Sequence, residues 1–244
     1  MSEEWVEIYR PQTDATLRLF CFPHAGGGAA LYRLWPSQLP SHVELCAVEL
    51  PGRGRRFGEA AFSRLPELME AMGPALLPFM DKPFAFFGHS MGGILSFELA
   101  RFLRRRGALL PQRIIAAGCG APHTKLSQRR NLHQLPDDLF LKELETLKGT
   151  PPEVLKHREL MQLFLPLLRA DLSVVETYQY EKEAPLDIPL HVLGGEQDEE
   201  VLPSALQAWR EHTTAEFSLN MLPGDHFFLK SAQSQLLEVL LQVL

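Results

Sequence analysis

The stretch Phe84-Ala85-Phe86-Phe87-Gly88-His89-Ser90-Met91-Gly92-Gly93 constrains the fold more than any other part of the chain. It begins as a short apolar run, which reads as a buried strand. Beyond it, Ile94 to Leu103 places apolar residues at helical spacing. Between the two lies the pattern G-x-S-x-G. A strand that turns at once into a helix forces unusual backbone angles on the residue at the tip. Gly88 and Gly92 keep Cβ atoms out of that turn, so Ser90 can stand above the sheet. The amides that open the helix then face any negative charge developing beside Ser90. A serine nucleophile needs this geometry. The five positions recur by chance in many chains, and the strand before with the helix after gives them weight.

The other elements follow from periodicity. Trp5–Tyr9 alternates like an edge strand, and Leu17–Phe22, Val43–Val48, Arg113–Cys119, Pro189–Gly195 and Glu216–Leu222 read as further strands. Leu65–Phe79 and Ser231–Leu244 have helical patterns. Strands alternating with helices predict an α/β fold, with a mostly parallel central sheet and helices on both faces. The glycine-rich, basic and acidic loops at 23–29, 49–56, 88–93, 194–200 and 223–227 each follow a strand, where such sheets bind ligands. About 122–185 breaks the alternation. Helices are predicted there at Asp137–Leu147, Glu153–Phe164 and Leu167–Tyr180, separated by Gly149–Pro152 and by Pro166. The segment is too long for an ordinary connection and is expected to form a helical lid within a single domain spanning 1–244.

Composition excludes several classes. A net charge of −6 argues against nucleic-acid binding. The cysteines Cys21, Cys46 and Cys119 are odd in number, with no CxxC, and Cys21 and Cys46 sit in apolar strands. Buried free thiols in a reducing compartment are expected. The acidic N-terminus lacks a signal-peptide core, and no apolar run approaches the ~20 residues that span a membrane. A cytoplasmic protein is expected. No HExxH, paired cysteines, GxGxxG or phosphate-loop lysine occurs, so neither a metal nor a cofactor is expected.

A serine hydroxyl is a weak nucleophile and needs a base. The α/β-hydrolase order is serine, acid, histidine. His226, in Pro223-Gly224-Asp225-His226-Phe227-Phe228, lies in the turn between the last strand and the last helix, where that fold keeps its base. The acid belongs in Gly194-Gly195-Glu196-Gln197-Asp198-Glu199-Glu200. Asp198 is the first candidate, with Glu196, Glu199 and Glu200 as alternatives; Asp225 is too close in sequence to face the ring of His226. The oxyanion hole would use the amides of Met91 and Ala25. A carboxylesterase or lipase would use the same triad, and an idle hydrolase fold that only binds would not need it.

Five segments together, Phe22-Pro23-His24-Ala25-Gly26-Gly27, Leu50-Pro51-Gly52-Arg53, Gly88-His89-Ser90-Met91-Gly92-Gly93, Leu165-Pro166-Leu167-Leu168-Arg169-Ala170-Asp171 and Gly224-Asp225-His226-Phe227-Phe228, resemble the type II thioesterases. These stand-alone editing enzymes of the α/β-hydrolase superfamily accompany modular nonribosomal peptide and polyketide synthases. The resemblance runs over nearly the whole chain. It implies an acyl thioester on the phosphopantetheine arm of a carrier protein as substrate, with short acyl-CoA as a second, and a monomer is expected. Arg53, Arg55 and Arg56, with Arg129 and Arg130 near the lid, are candidates to meet an acidic carrier. Phe140, Leu144, Met161, Phe164 and Leu168 are candidates to line an acyl chamber, against the alternative that such a stripe is lid core.

Overall fold

A computed structural model describes residues 3–124, 131–150 and 152–244. Seven strands form one sheet: β1 (Val6–Glu7), β2 (Leu17–Phe22), β3 (Val43–Val48), β4 (Phe84–His89), β5 (Ile114–Ala117), β6 (Leu190–Gly195) and β7 (Phe217–Leu222), in the order β1-β3-β2-β4-β5-β6-β7. Only β1 is antiparallel to its neighbour, with Val6 opposite Val48. It is shorter than the expected Trp5–Tyr9.

Side-chain alternation divides the core. Phe84 and Phe86 of β4 face one side with Phe20, Phe22, Ile114 and Ala116. Ala85 and Phe87 face the other with Leu19, Cys21, Leu45, Ile115 and Ala117. The first face is covered by α1 (Leu65–Leu76) and α2 (Met91–Arg105). All three cysteines are buried and unpaired, and burial pushes the Cys46 and Cys119 thiols up to about 12.

Between β5 and β6 come α3 (Asp137–Leu147), α4 (Pro152–Leu155) and α5 (Arg158–Glu176). The sequence predicts a break at Pro166, but α5 runs through it without interruption. A proline inside a helix loses a donor and crowds the preceding turn, at about 3 kcal/mol. Pro166 lies on the exposed side of α5, where water can reach the freed carbonyl. The neighbours Leu165, Leu167 and Leu168 are buried, and their packing overrides the local preference. The chain then continues through α6 (Pro203–Gln207) and α7 (Phe228–Ser231) to α8 (Gln233–Val243), whose Leu236, Leu237 and Leu240 cover the second face of the sheet. No helix among the described residues is long and apolar enough to cross a membrane.

Candidate active site

Ser90 stands between β4 and α2 at φ 54, ψ −116, a strained conformation for a residue with a Cβ. A Cβ on Gly88 would lie 2.0 Å from the Gly92 carbonyl oxygen, and one on Gly92 would lie 2.2 Å from that of Phe22. Backbone approaches backbone at both positions, so each must be glycine. The Ser90 amide is tied to the Ala117 carbonyl at 2.8 Å, which fixes the tip against β5.

His226 Nε2 lies 3.0 Å from Ser90 Oγ, and its Nδ1 lies 2.9 Å from Asp198 Oδ2. The Asp198 side chain is only 1 % exposed, and its Oδ1 accepts the Glu200 and Val201 amides at 2.8 and 3.1 Å. Those bonds hold the carboxylate in place. Of the four acids in this loop, Asp198 alone meets the ring. Glu199 and Glu200 line the cavity, and Asp225 accepts the Phe227 amide within its own turn.

His89, adjacent to the serine, holds the opposite side of the same loop. It is fully buried, and its Nε2–H donates to the His226 carbonyl at 2.9 Å. Burial holds it well below the usual histidine range, so it is a neutral donor. Sequence reasoning missed this role. The signal for it was a histidine inside the elbow itself, next to the nucleophile.

Among the described residues, neither the Ala25 nor the Met91 N–H has an acceptor, and both residues line the cavity beside Ser90. They are therefore free to receive an oxyanion. The Ala25 loop is clamped from the lid. Asp171 of α5 accepts the Gly26 amide at 2.7 Å on Oδ2, and Arg53 Nη1 and Nη2 at 2.8 and 2.7 Å on Oδ2 and Oδ1. Arg53 also donates to the Gly27 carbonyl at 2.8 Å. Gly26 has φ +76, and a Cβ there would strike the Leu168 side chain at 2.5 Å. The lid helix thus sits directly on the Ala25 loop.

This arrangement corrects the expectation of a surface arginine patch. Arg53 is buried against Asp171. Arg56 is buried over the Trp5 ring at 4.1 Å and holds Glu59 with two bonds. Arg55 alone is exposed, and it pairs with Glu7 at 2.8 Å. Arg129 and Arg130 lie outside the described residues.

The cavity over Ser90 has a volume of about 480 Å³, within the range of small-molecule sites. Leu168, Leu172 and Val175 face it from α5, and Ile94, Leu144 and Phe227 are among the other apolar residues of its wall. Phe140 and Met161 do not reach it. They pack with Leu165 in the core of the lid, and Phe164 meets the Phe57 ring instead. Glu176 is a cavity residue that sequence reasoning missed. It accepts the Leu132 and His133 amides at 2.8 and 3.1 Å and bonds the His133 ring.

The thioesterase domain model matches residues 17–243. The chain is 44 % identical over 239 residues to linear gramicidin dehydrogenase LgrE of Brevibacillus parabrevis, covering 97 % of this chain and 90 % of that protein. The structure of BorB, a type II thioesterase from the borrelidin biosynthetic cluster, matches with a TM-score of 0.89 at 35 % identity, covering 99 % of this chain and 98 % of that one. YbtT, a type II thioesterase from the yersiniabactin NRPS/PKS biosynthetic pathway, matches with a TM-score of 0.85 at 33 % identity and 96 % of both chains. By the family match, these relatives and its sheet topology, the chain belongs to the thioesterase domain family, serine hydrolases built on the α/β-hydrolase fold.

Proposed function

We propose that the chain removes acyl groups from the phosphopantetheine thiol of carrier proteins in a modular nonribosomal peptide or polyketide synthase, and so restores stalled carriers. The observation that carries the reading is the hydrogen-bonded line from Ser90 through His226 to a buried Asp198, opening into an apolar cavity. Ser90 Oγ attacks the thioester carbonyl as His226 Nε2 takes its proton. Asp198 accepts the Nδ1–H and stabilises the imidazolium. The Ala25 and Met91 amides hold the oxyanion. The carbon–sulfur bond breaks, the pantetheine sulfur leaves as the thiol with the proton from His226, and the acyl group stays on Ser90. Water then gives a proton to His226 and attacks the acyl-serine. Breakdown returns that proton to Ser90 and releases the carboxylic acid. No external cofactor enters this sequence.

The relatives support the carrier reading, since BorB and YbtT are type II thioesterases of biosynthetic clusters. The word dehydrogenase belongs to the name of LgrE. The present chain has no GxGxxG, and its Ser90, His226 and Asp198 stand in a hydrogen-bonded line. The test is intact-protein mass spectrometry of an acetyl-loaded carrier incubated with the wild type and with Ser90→Ala. The wild type alone should return the free-thiol carrier. Failure of both, with a nitrophenyl ester still cleaved by the wild type, would make the enzyme an esterase.

A further inference from the structure

A second hollow of about 410 Å³ adjoins the catalytic cavity, and Gly149 and Thr150 line both. Lys148, Lys156 and Lys230 stand around it, with Leu155 and one acid, Glu145. The lysines come from three places in the chain. Lys148 caps α3 in a left-handed conformation with φ 56, Lys156 lies in the turn after α4, and Lys230 is on α7, four residues after His226. The fold brings them together; no run of charge does. Lys230 Nζ lies 5.9 Å from the centre of the Phe227 ring, which itself lines the catalytic cavity.

These cations differ from the arginines of the site. Arg53, Arg55, Arg56 and Arg169 all hold carboxylates. Among the described residues, none of the three ammonium groups has an ion-pair or hydrogen-bond partner. Three exposed lysines and one acid, Glu145, leave the hollow with an excess of positive charge. An anion arriving with a ligand would relieve it and take up free donors. Burial holds His24 and His89 below the usual histidine range, and the charge of Lys230 adds a smaller push in the same direction.

We propose that this hollow is a phosphate subsite, which takes the phosphate of the pantetheine arm while the thioester lies against Ser90 in the adjoining cavity. The inference rests on the carrier-thioester reading above. The arm must run from Ser90 out of the cavity, and it carries its negative charge only at the outer end. The lysine-lined hollow stands where the catalytic cavity continues past Gly149 and Thr150. It answers a phosphate monoester or diester by charge, and the point charges of lysine suit a ligand end that differs between a free arm and a carrier-borne one.

The test measures binding by calorimetry on the full-length Ser90→Ala protein, which cannot turn the ligand over. The probes are pantetheine, 4′-phosphopantetheine, 3′-dephospho-CoA, CoA and a holo carrier protein. The phosphopantetheine form should bind about tenfold tighter than pantetheine at low salt. In Lys148→Met/Lys156→Met/Lys230→Met the ratio should fall to within about twofold, and the corresponding triple arginine variant should keep it. The holo carrier should lose affinity in the same variant. Equal affinities for the two arms, or a preference that survives the methionine variant, would overturn the subsite. So would a lysine-dependent preference confined to CoA over 3′-dephospho-CoA, which would assign the hollow to the nucleotide phosphate. Loss of carrier deacylation by the wild type with the phosphate preference intact would instead remove the reading of the reaction and leave the subsite.

Discussion

Asp171→Ala separates what the lid clamp does for the fold from what it does for the reaction. The Asp171 side chain is 3 % exposed and accepts three charge-assisted bonds, two of them from Arg53, itself 6 % exposed. Removing one member of a buried pair leaves the other charge uncompensated, at about 3–5 kcal/mol. For a chain of this length that corresponds to a fall in Tm of roughly 6–20 °C. The Gly26 amide also loses its acceptor, and Ala25, one residue earlier, is the proposed oxyanion donor. Complete loss of such a donor costs about 10²–10³ in rate, and displacement costs part of that, so kcat should fall roughly tenfold to a hundredfold with KM little changed. Arg53→Met/Asp171→Leu is the decisive companion. Replacing both charges with apolar groups should recover most of the stability, yet it restores no acceptor for Gly26, so kcat stays low. Released thiol followed with a chromogenic disulfide gives the kinetics, and circular dichroism gives Tm. A double variant with both Tm and kcat back near wild type would refute positioning by the clamp and leave it a structural pair.

Asp198→Asn keeps the shape of the triad but removes the acceptor that fixes the His226 tautomer, and kcat should fall by about 10⁴ with labelling of Ser90 by a fluorophosphonate slowed in step; unchanged labelling would remove Asp198 from the triad. Gly88→Ala puts a Cβ 2.0 Å from the Gly92 carbonyl, so soluble yield and fluorophosphonate labelling should both collapse, and a soluble, labelled variant would show that the elbow can relax. Burial holds His24 and, with His123 and Arg101 beside it, His212 at about 4, against an ordinary value near 6.5 in the unfolded chain. The unfolded state therefore binds more protons below about pH 6.5, and stability should fall as pH drops from there toward 4. Denaturant midpoints across that window should show a shallower fall in His212→Phe; an unchanged slope would mean that His212 does not contribute.

What was legible in the sequence is what local sterics and chain order dictate. The elbow could be read because a strand turning into a helix admits only glycine two residues before and two after Ser90, whatever the rest of the chain does. His226 and Asp198 could be read because each follows a strand at the end of the sheet where this fold gathers its ligands. The lid was read less well. Breaking it at Pro166 treats 153–164 and 167–180 as two helices with independent phases. In the single helix α5 one phase holds throughout: Met161, Leu165 and Leu168 join the lid core, and the same face continues through Leu168, Leu172 and Val175 along the cavity. The clamp could not be read at all. Arg53 and Asp171 are 118 residues apart, and each alone resembles an ordinary surface charge.

The charged pair is better explained by the reaction than by the fold. Two apolar side chains could join the loop after β3 to the lid helix with less loss of hydration, and buried ion pairs are often neutral or unfavourable beside such replacements. Apolar side chains could not accept the Gly26 N–H or hold the Gly27 carbonyl. Asp171 and Arg53 do both, on the two residues that follow the Ala25 donor. The same helix that carries Asp171 also carries the cavity wall at Leu168 and Leu172. A shift of α5 that widens the cavity would therefore pull on the oxyanion loop, so an acyl group that displaces the lid should be hydrolysed with a lower kcat, not merely bound more weakly. A series of acyl chain lengths on one carrier distinguishes the two. Decline confined to KM would show that the lid moves without the loop.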